Sequence, residues 1–203
     1  MTKKGQFEKL SFVVRKGDKI AFIAKNSLQI TSLFNILSKK DTQDAGSFKF
    51  GITITPSYIP SDNSEYFKDG ELNLVDWLRP YSKDQNESSI RGWLGRMLFS
   101  NEEALKKVSV LSGGEKVRCM MAMSMLTAGN LIMMDDPTNH LDLESITALN
   151  NGMKNYKGVL LFSSHDHELI NTVANRIIYI GEDKVIDKVC TYDEFLERFG
   201  SEL

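Results

Sequence analysis

Length, composition and charge place this chain among compact soluble proteins. Its 203 residues are enough for one domain with a substantial core, and its 41% hydrophobic and 26% charged residues exclude a disordered or membrane-embedded chain. The net charge of −2 excludes a global field that would attract nucleic acid or anionic lipid, and leaves a local basic patch open. Two cysteines and no apolar run near the roughly 20 residues that span a bilayer predict a reduced, cytoplasmic protein without a membrane segment.

The N-terminal part of the chain predicts strand, loop and helix in that order. Residues 7–24 indicate two strands separated by a turn at Gly17-Asp18, and the second strand runs directly into the polar stretch 25–29. The segment from Ile30 to Leu37 then places apolar residues at helical spacing. This order is the framework of a phosphate-binding loop.

Two different patterns follow in the middle of the chain. Residues 46–59 predict further strands, and because Pro56 and Pro60 limit central pairing we expect a small antiparallel β lobe here. From Leu72 to Ser109 helical patterns dominate, interrupted by the polar loop 83–88. We expect a helical subdomain of approximate bounds 68–125, inserted in the α/β core of a single domain that covers residues 1–203.

Strand and helix alternate in the second half of the chain. Alternation with short connections predicts a mostly parallel sheet covered by helices, with ligands beyond the carboxyl ends of the strands. A hairpin is predicted over residues 176–189, and Thr191 with Glu194 forms a capping box for a last helix. The alternating elements, helix, strand, helix and strand, are predicted over residues 115–126, 131–134, 143–156 and 158–162.

Two carboxylates end one of these strands. The apolar residues 131–134 are followed directly by Asp135 and Asp136, and Mg²⁺ prefers oxygen ligands of this kind. The alternative is that Asp136 only caps the next turn. The motif by itself leaves both interpretations open.

A helix start and a second strand end carry further candidate residues. Ser112 and Glu115 are spaced as a capping box, whereas Gly113 and Gly114 would let backbone amides point at an anion at the helix N-terminus. His165 follows an apolar strand and is placed to hold a phosphate oxygen or a water. A surface histidine with ordinary partners is the alternative for His165.

Taken in order, LSGGEK, MMDDPTNHLD and SHDHELI resemble the marks of ATP-binding cassette (ABC) proteins. PTNHLDLES, IRGWLGRMLFS and ITITPSYIPSDNSEYF look like the C-terminal cassette of the ABC-F class, which comprises soluble tandem-cassette proteins, many of which act on the ribosome. The resemblance covers almost the whole chain. It implies an α/β P-loop NTPase fold of the ABC type, with ATP and Mg²⁺ as cofactors and a second cassette, in the same or another chain, and the ribosome as partners.

The resemblance also implies an ATP sandwich, in which each nucleotide lies between the phosphate loop of one cassette and the signature of the other. Thr31 and Asp135 would hold Mg²⁺, Asp136 would orient the attacking water, and His165 would contact the γ-phosphate. The implied signature for the facing site consists of Leu111, Ser112, Gly113, Gly114 and Glu115. The implied nucleotide-binding residues are Ala24, Lys25, Asn26, Ser27, Leu28, Gln29, Ile30, Thr31 and Ser32 of the phosphate loop, with Ser61 as the γ-phosphate sensor.

The phosphate loop departs from the pattern G-x-x-x-x-G-K-[ST]. Only Asn26 and Thr31 fit it well, and Ile30 replaces the lysine. Loss of that charge-assisted contact removes roughly 1.5–3 kcal/mol, so the affinity for nucleotide is expected to fall by about one to two decades. Ser61 stands where many cassettes have a glutamine, and Asp136 where the family usually has a glutamate.

These departures affect the parts that a cassette uses on its own nucleotide, whereas the signature given to a partner is intact. We therefore expect an ABC-F-like ATPase domain that hydrolyses ATP slowly or not at all in its own site. A non-catalytic pseudo-ATPase that binds the ribosome or a partner cassette is one alternative. The nucleotide-binding subunit of a membrane transporter is another.

Overall fold

A computed structural model describes residues 10–127, 129–139, 141–181 and 184–202. Its described part forms a six-stranded sheet in the order β2-β3-β4-β1-β5-β6, parallel except for the antiparallel pair β5 and β6. The predicted mostly parallel α/β core is therefore confirmed. The strands are β1 Lys19–Ala24, β2 Pro56–Ile59, β3 Leu131–Met134, β4 Val159–Ser163, β5 Arg176–Ile180 and β6 Val185–Lys188.

Helices cover both faces of the sheet. None of the described helices is both long and apolar enough to cross a lipid bilayer. The helices that connect and flank the strands are α1 Ser27–Leu37, α2 Leu74–Leu78, α3 Glu87–Arg96, α4 Gly113–Leu126, α5 Leu143–Asn155, α6 His167–Val173 and α7 Tyr192–Phe199.

The alternation of side chains along each strand divides the core into two layers. In β1, Ile20 and Phe22 pack beneath α1 with Phe34, whereas Ala21 belongs to the layer formed with α4, α5 and α6. Because both faces are buried, the parallel strands read as continuous apolar runs rather than as alternating polar and apolar residues. The carboxyl ends of β1, β3 and β4 meet at one edge of the sheet, and their amino ends meet at the opposite edge.

The structure corrects two predicted β segments. Residues 10–16 form no strand, so the first strand predicted within 7–24 is wrong over its described part; residues 7–9 lie outside the described residues. Residues 46–55 form no strand either, and β2 pairs in parallel with β3 instead of building an antiparallel lobe. The Asn130 side chain donates to the Thr53 carbonyl at 2.7 Å and accepts from the Thr55 amide at 2.9 Å. These two backbone groups are therefore bonded to a side chain rather than to a neighbouring strand.

Local signals for helix starts are confirmed. Capping boxes are present at Ser112 with Glu115 and at Thr191 with Glu194, which begin α4 and α7. Helices α2 and α3 lie between β2 and β3, where helical patterns dominate the sequence. The bounds 68–125 of a helical subdomain stay a prediction.

Candidate functional site

A small cavity of about 130 Å³ opens at the carboxyl ends of β1, β3 and β4. Three segments that the sequence predicts to converge all contribute to its lining: the loop after β1, the acids after β3 and the histidine after β4. The described lining includes no lysine or arginine. The predicted site residues that line it are Ala24, Ser27, Ile30, Asp135, Asp136 and His165.

Asp135 is the buried centre of this site, with only 4% of its surface exposed. Its Oδ2 accepts a hydrogen bond from Thr31 Oγ1 at 2.7 Å, and its Oδ1 accepts one from Ser163 Oγ at 3.0 Å. Burial, followed by the charge and hydrogen bond of Asp135, raises the pKa of the Tyr58 hydroxyl, which therefore stays protonated. A hydroxyl beside a carboxylate fits Mg²⁺, which takes one or two such protein ligands and completes its shell with phosphate and water.

Asp136 has a backbone conformation that few residues other than glycine adopt. Its φ of 45° lies in the left-handed region, where aspartate and asparagine are enriched among non-glycine residues. The Asp136 amide donates to Ser163 Oγ at 2.9 Å, and the Asp136 Oδ2 lies 4.0 Å from the Nε2 of the exposed His165. Strained backbone of this kind occurs where a side chain must be held in a set direction.

The loop after β1 differs from the prediction. Helix α1 begins at Ser27 rather than at Ile30, so only Lys25 and Asn26 separate it from β1. The predicted loop over 25–29 is therefore wrong for its last three residues. Asn26 explains the early start, because its side chain accepts from the Leu28 amide at 3.1 Å and its carbonyl accepts from the Gln29 amide at 3.0 Å.

The position where a phosphate loop has its lysine is occupied here by a buried apolar residue, Ile30. Ile30 is 4% exposed, packs from α1 into the core between this helix and the sheet, and also lines the cavity. Leu28, on the first turn of α1, is exposed to solvent. The position thus contributes neither a charge nor a hydrogen-bond donor to the cavity.

Several predicted residues lie outside the cavity lining. Lys25, Asn26 and Leu28 are exposed, and Ser61, predicted to sense the γ-phosphate, is also exposed. Gln29 is buried in α1, and Ser32 is half-buried on the same helix. Thr31 reaches the cavity only through its bond to Asp135.

The signature lies apart from the cavity, at the start of α4. Ser112 and Gly113 are exposed, whereas Leu111 and Gly114 are buried and Glu115 pairs with a lysine. A Cβ atom at Gly114 would lie 2.1 Å from Ser145 Oγ, so only glycine allows α4 to begin this close to α5. Ser112 and Gly113 of the signature therefore face solvent, whereas Gly114 packs against α5.

Comparison with known proteins establishes the family. The family model described as "ABC transporter" matches residues 7–139. The chain belongs to the ABC transporter family. It is 57% identical over 192 residues to the "Uncharacterized ABC transporter ATP-binding protein YkpA" of Bacillus subtilis, covering 94% of this chain and 36% of that protein.

Further similarities agree with this assignment. "ABC transporter F family member 5" of Arabidopsis thaliana is 29% identical, covering 95% of this chain and 28% of that protein. The cassette thus spans about a third of the length of the curated relatives it matches. The "Dimeric structure of a post-hydrolysis state of the ATP-binding cassette MJ0796 bound to ADP and Pi" shares the fold, with a TM-score of 0.66 at 15% identity, covering 89% of each chain.

Sequence reasoning missed two residues that help to build the site of this cassette. Ser163 connects the two acids, because its hydroxyl donates to Asp135 and accepts from the Asp136 amide. Its position as the last residue of an apolar strand was a signal that could have revealed it. Tyr192 at the start of α7 also lines the cavity, and no local motif indicates this. Phe7, the candidate for the adenine-stacking aromatic residue that the ABC resemblance implies, lies outside the described residues.

Proposed function

We propose that this ATP-binding cassette binds ATP and Mg²⁺ at composite sites formed with a second cassette, and hydrolyses ATP slowly or not at all in its own site. The observation that supports this most directly is the closed start of α1. The amides of Leu28 and Gln29 are bonded to Asn26, and the lysine position is held by the buried Ile30. Amides and a lysine at this point are what a phosphate loop offers to a nucleotide.

The remaining polar groups suit the roles that the resemblance gives them. Mg²⁺ bound with ATP neutralises the charge of the phosphates, and Thr31 and Asp135 would hold it. Asp136 would orient the attacking water. The Ser163 hydroxyl, which accepts from the Asp136 amide, would hold the Asp136 backbone in place. His165 would contact the γ-phosphate from the exposed rim of the cavity.

The asymmetry between the two half-sites follows from exposure. Ser112 and Gly113, at the start of α4, are exposed to solvent, where they would meet a nucleotide bound on a facing cassette. At the start of α1, by contrast, the Leu28 and Gln29 amides are already bonded to Asn26. Pairing with an intact cassette would therefore give one competent and one weak site. Self-pairing would give two weak sites.

Single-turnover release of phosphate tests this pairing. We expect no measurable release from this chain alone, and release above that of the intact cassette alone when the two are mixed. Ser112→Arg should remove this excess, because it blocks the facing nucleotide, whereas Asp136→Asn should leave most of it. Release by this chain alone at the rate of the mixture, or equal loss in both variants, would contradict the proposal.

A non-catalytic interaction module is the second candidate function. The cavity of about 130 Å³ favours it, because sites for drug-sized ligands are roughly 300–1,000 Å³. This module would release no phosphate even with a partner cassette present. Its partners, as implied by the ABC-F resemblance, would be the ribosome or another cassette, and co-sedimentation with purified ribosomes that does not depend on ATP would favour it.

A transporter subunit is supported by the description of the family model and by the name of the Bacillus subtilis relative, both of which mention an ABC transporter. It would bind a membrane permease through the cassette, so co-purification with a permease would favour it. A composite nucleotide site is proposed both for a transporter subunit and for an ABC-F-like ATPase domain. The pairing experiment therefore applies to both functions.

A further inference from the structure

A second and larger concavity lies at the opposite edge of the sheet from the nucleotide cavity. Its volume is about 690 Å³, and Gly129, Asn130 and Gly158, which line it, directly precede β3 and β4. It runs between α3 and α5, and we call it the α3–α5 groove. The proposed nucleotide chemistry uses none of its residues.

The walls of the α3–α5 groove have the composition of a protein-binding surface. Trp93 and Met97 lie on the α3 side, Met125 contributes the end of α4, and Tyr156 follows α5. Aromatic residues, methionine and arginine are enriched at the centres of protein interfaces, and methionine adapts to irregular partners. This set of side chains favours an apolar segment of another protein as the occupant.

Leu98 presents an apolar side chain at the rim of the groove. It is 58% exposed and has a φ of 60°, a left-handed conformation that is a genuine outlier for so bulky a residue. The Arg118 guanidinium stabilises this turn, because its Nη1 donates to the carbonyls of Met97 and Leu98 at 3.0 and 3.4 Å. An exposed leucine held in a strained turn is consistent with a contact that a partner completes.

The charge around the α3–α5 groove is positive. Arg96 lies over the Trp93 ring, 4.1 Å from its centroid, and Lys157 lines the other side. The described lining contains no aspartate or glutamate, and neither cation forms an ion pair within the described ranges. Burial, and then the charges of Lys157 and Lys154, lowers the pKa of Lys19 next to this edge. Two cations beside these apolar walls complement an acidic partner.

We propose that the α3–α5 groove binds an acidic amphipathic helix of a partner protein. The apolar face of that helix would pack on Trp93, Met97 and Leu98, and its carboxylates would pair with Arg96 and Lys157. A helix that lays its apolar face between two helices is a common mode of peptide recognition.

Three synthetic helical peptides of equal length test the groove. They share one leucine face and carry glutamate, glutamine or lysine on the other. The ¹⁵N indole resonances of the two tryptophans report the location of binding, because Trp93 lines the groove whereas the Trp77 indole is buried and bonded to the Tyr66 carbonyl at 2.7 Å. We expect the acidic peptide to bind tightest, to shift Trp93 alone, and to weaken as salt increases.

Two matched pairs of variants test the contacts. Leu98→Asn keeps a residue that tolerates the left-handed conformation and removes the apolar contact, so affinity for the acidic peptide should fall about tenfold. Leu105→Asn is the control, since Leu105 is similarly exposed, at 55%, and lies outside the groove. Lys157→Glu should reduce that affinity about fivefold and raise affinity for the basic peptide, while Lys49→Glu changes neither.

Each remaining outcome overturns the proposal. Equal affinity for the three peptides would remove the role of charge, and equal effects of Leu98→Asn and Leu105→Asn would remove the role of the groove. Saturation of the Trp93 shift by decanoate, with no binding of any peptide, would assign the groove to a small anionic amphiphile. Circular dichroism of each variant distinguishes loss of contact from loss of fold.

Discussion

Asp136 links backbone conformation to the proposed chemistry at the scale of a single residue. Its left-handed φ of 45° turns the chain away from β3 and directs its carboxylate toward His165. The Asp136 amide is fixed by Ser163, which also holds Asp135. The direction of the Asp136 carboxylate thus depends on the left-handed backbone conformation as well as on the length of the side chain.

Replacement of Asp136 by the glutamate common in the family should cost stability. Residues outside glycine, asparagine and aspartate lose roughly 1 kcal/mol in the left-handed conformation, so Asp136→Glu should lower the free energy of unfolding by about that amount. Asp136→Asn should change it by less than about 0.5 kcal/mol. Urea unfolding of both variants measures the difference. Equal stability of the two would contradict the inferred strain at this position.

Helix α1 shows, at the scale of an element, what local sequence patterns could and could not predict. The strand, the helix and their order are found where the apolar spacing indicates, but the helix begins three residues early. The polar stretch 25–29 suggested a loop, whereas the absence of glycine there and the presence of Asn26 favour a capped helix. Polarity was a weaker guide than capping chemistry at this point.

Asn26→Ala tests where α1 begins. If Asn26 caps the helix, its removal should reduce the free energy of unfolding by about 1 kcal/mol. Asn86→Ala gives a reference of the same kind, because the Asn86 side chain accepts from the Ser88 amide at the start of α3. Asn101→Ala is the neutral control, since the Asn101 side chain caps none of the described helices. Urea midpoints for the three variants decide, and an Asn26→Ala value equal to the Asn101→Ala value would indicate an open loop.

The order of strands at the scale of the whole molecule explains why distant motifs meet. Parallel strands bring the ends of β1, β3 and β4 to one edge, so the loop, the acids and the histidine could be placed together from the sequence alone. Tyr192 could not, because its place in the cavity depends on the packing of α7. The strand end at Ser163 was visible in the sequence, but its two hydrogen bonds depend on the register of β4. The wrong antiparallel lobe has a similar cause, since the bonds from Asn130 are not encoded in the local pattern of residues 46–55.

Thermal unfolding with nucleotide measures the consequence of the closed loop for the whole cassette. For a dissociation constant near 1 mM, about 5 mM ATP with Mg²⁺ adds roughly 1 kcal/mol of stability, which raises Tm by about 2–4 °C in a chain of this size. A dissociation constant near 10 μM would add roughly 4 kcal/mol and raise Tm by about 8–15 °C. We expect the smaller shift, and its loss in Asp135→Asn or after chelation of Mg²⁺, because Asp135 is proposed to hold the metal. A shift in the upper range would mean that backbone amides around Ser27 reopen on binding, and would contradict a weak site.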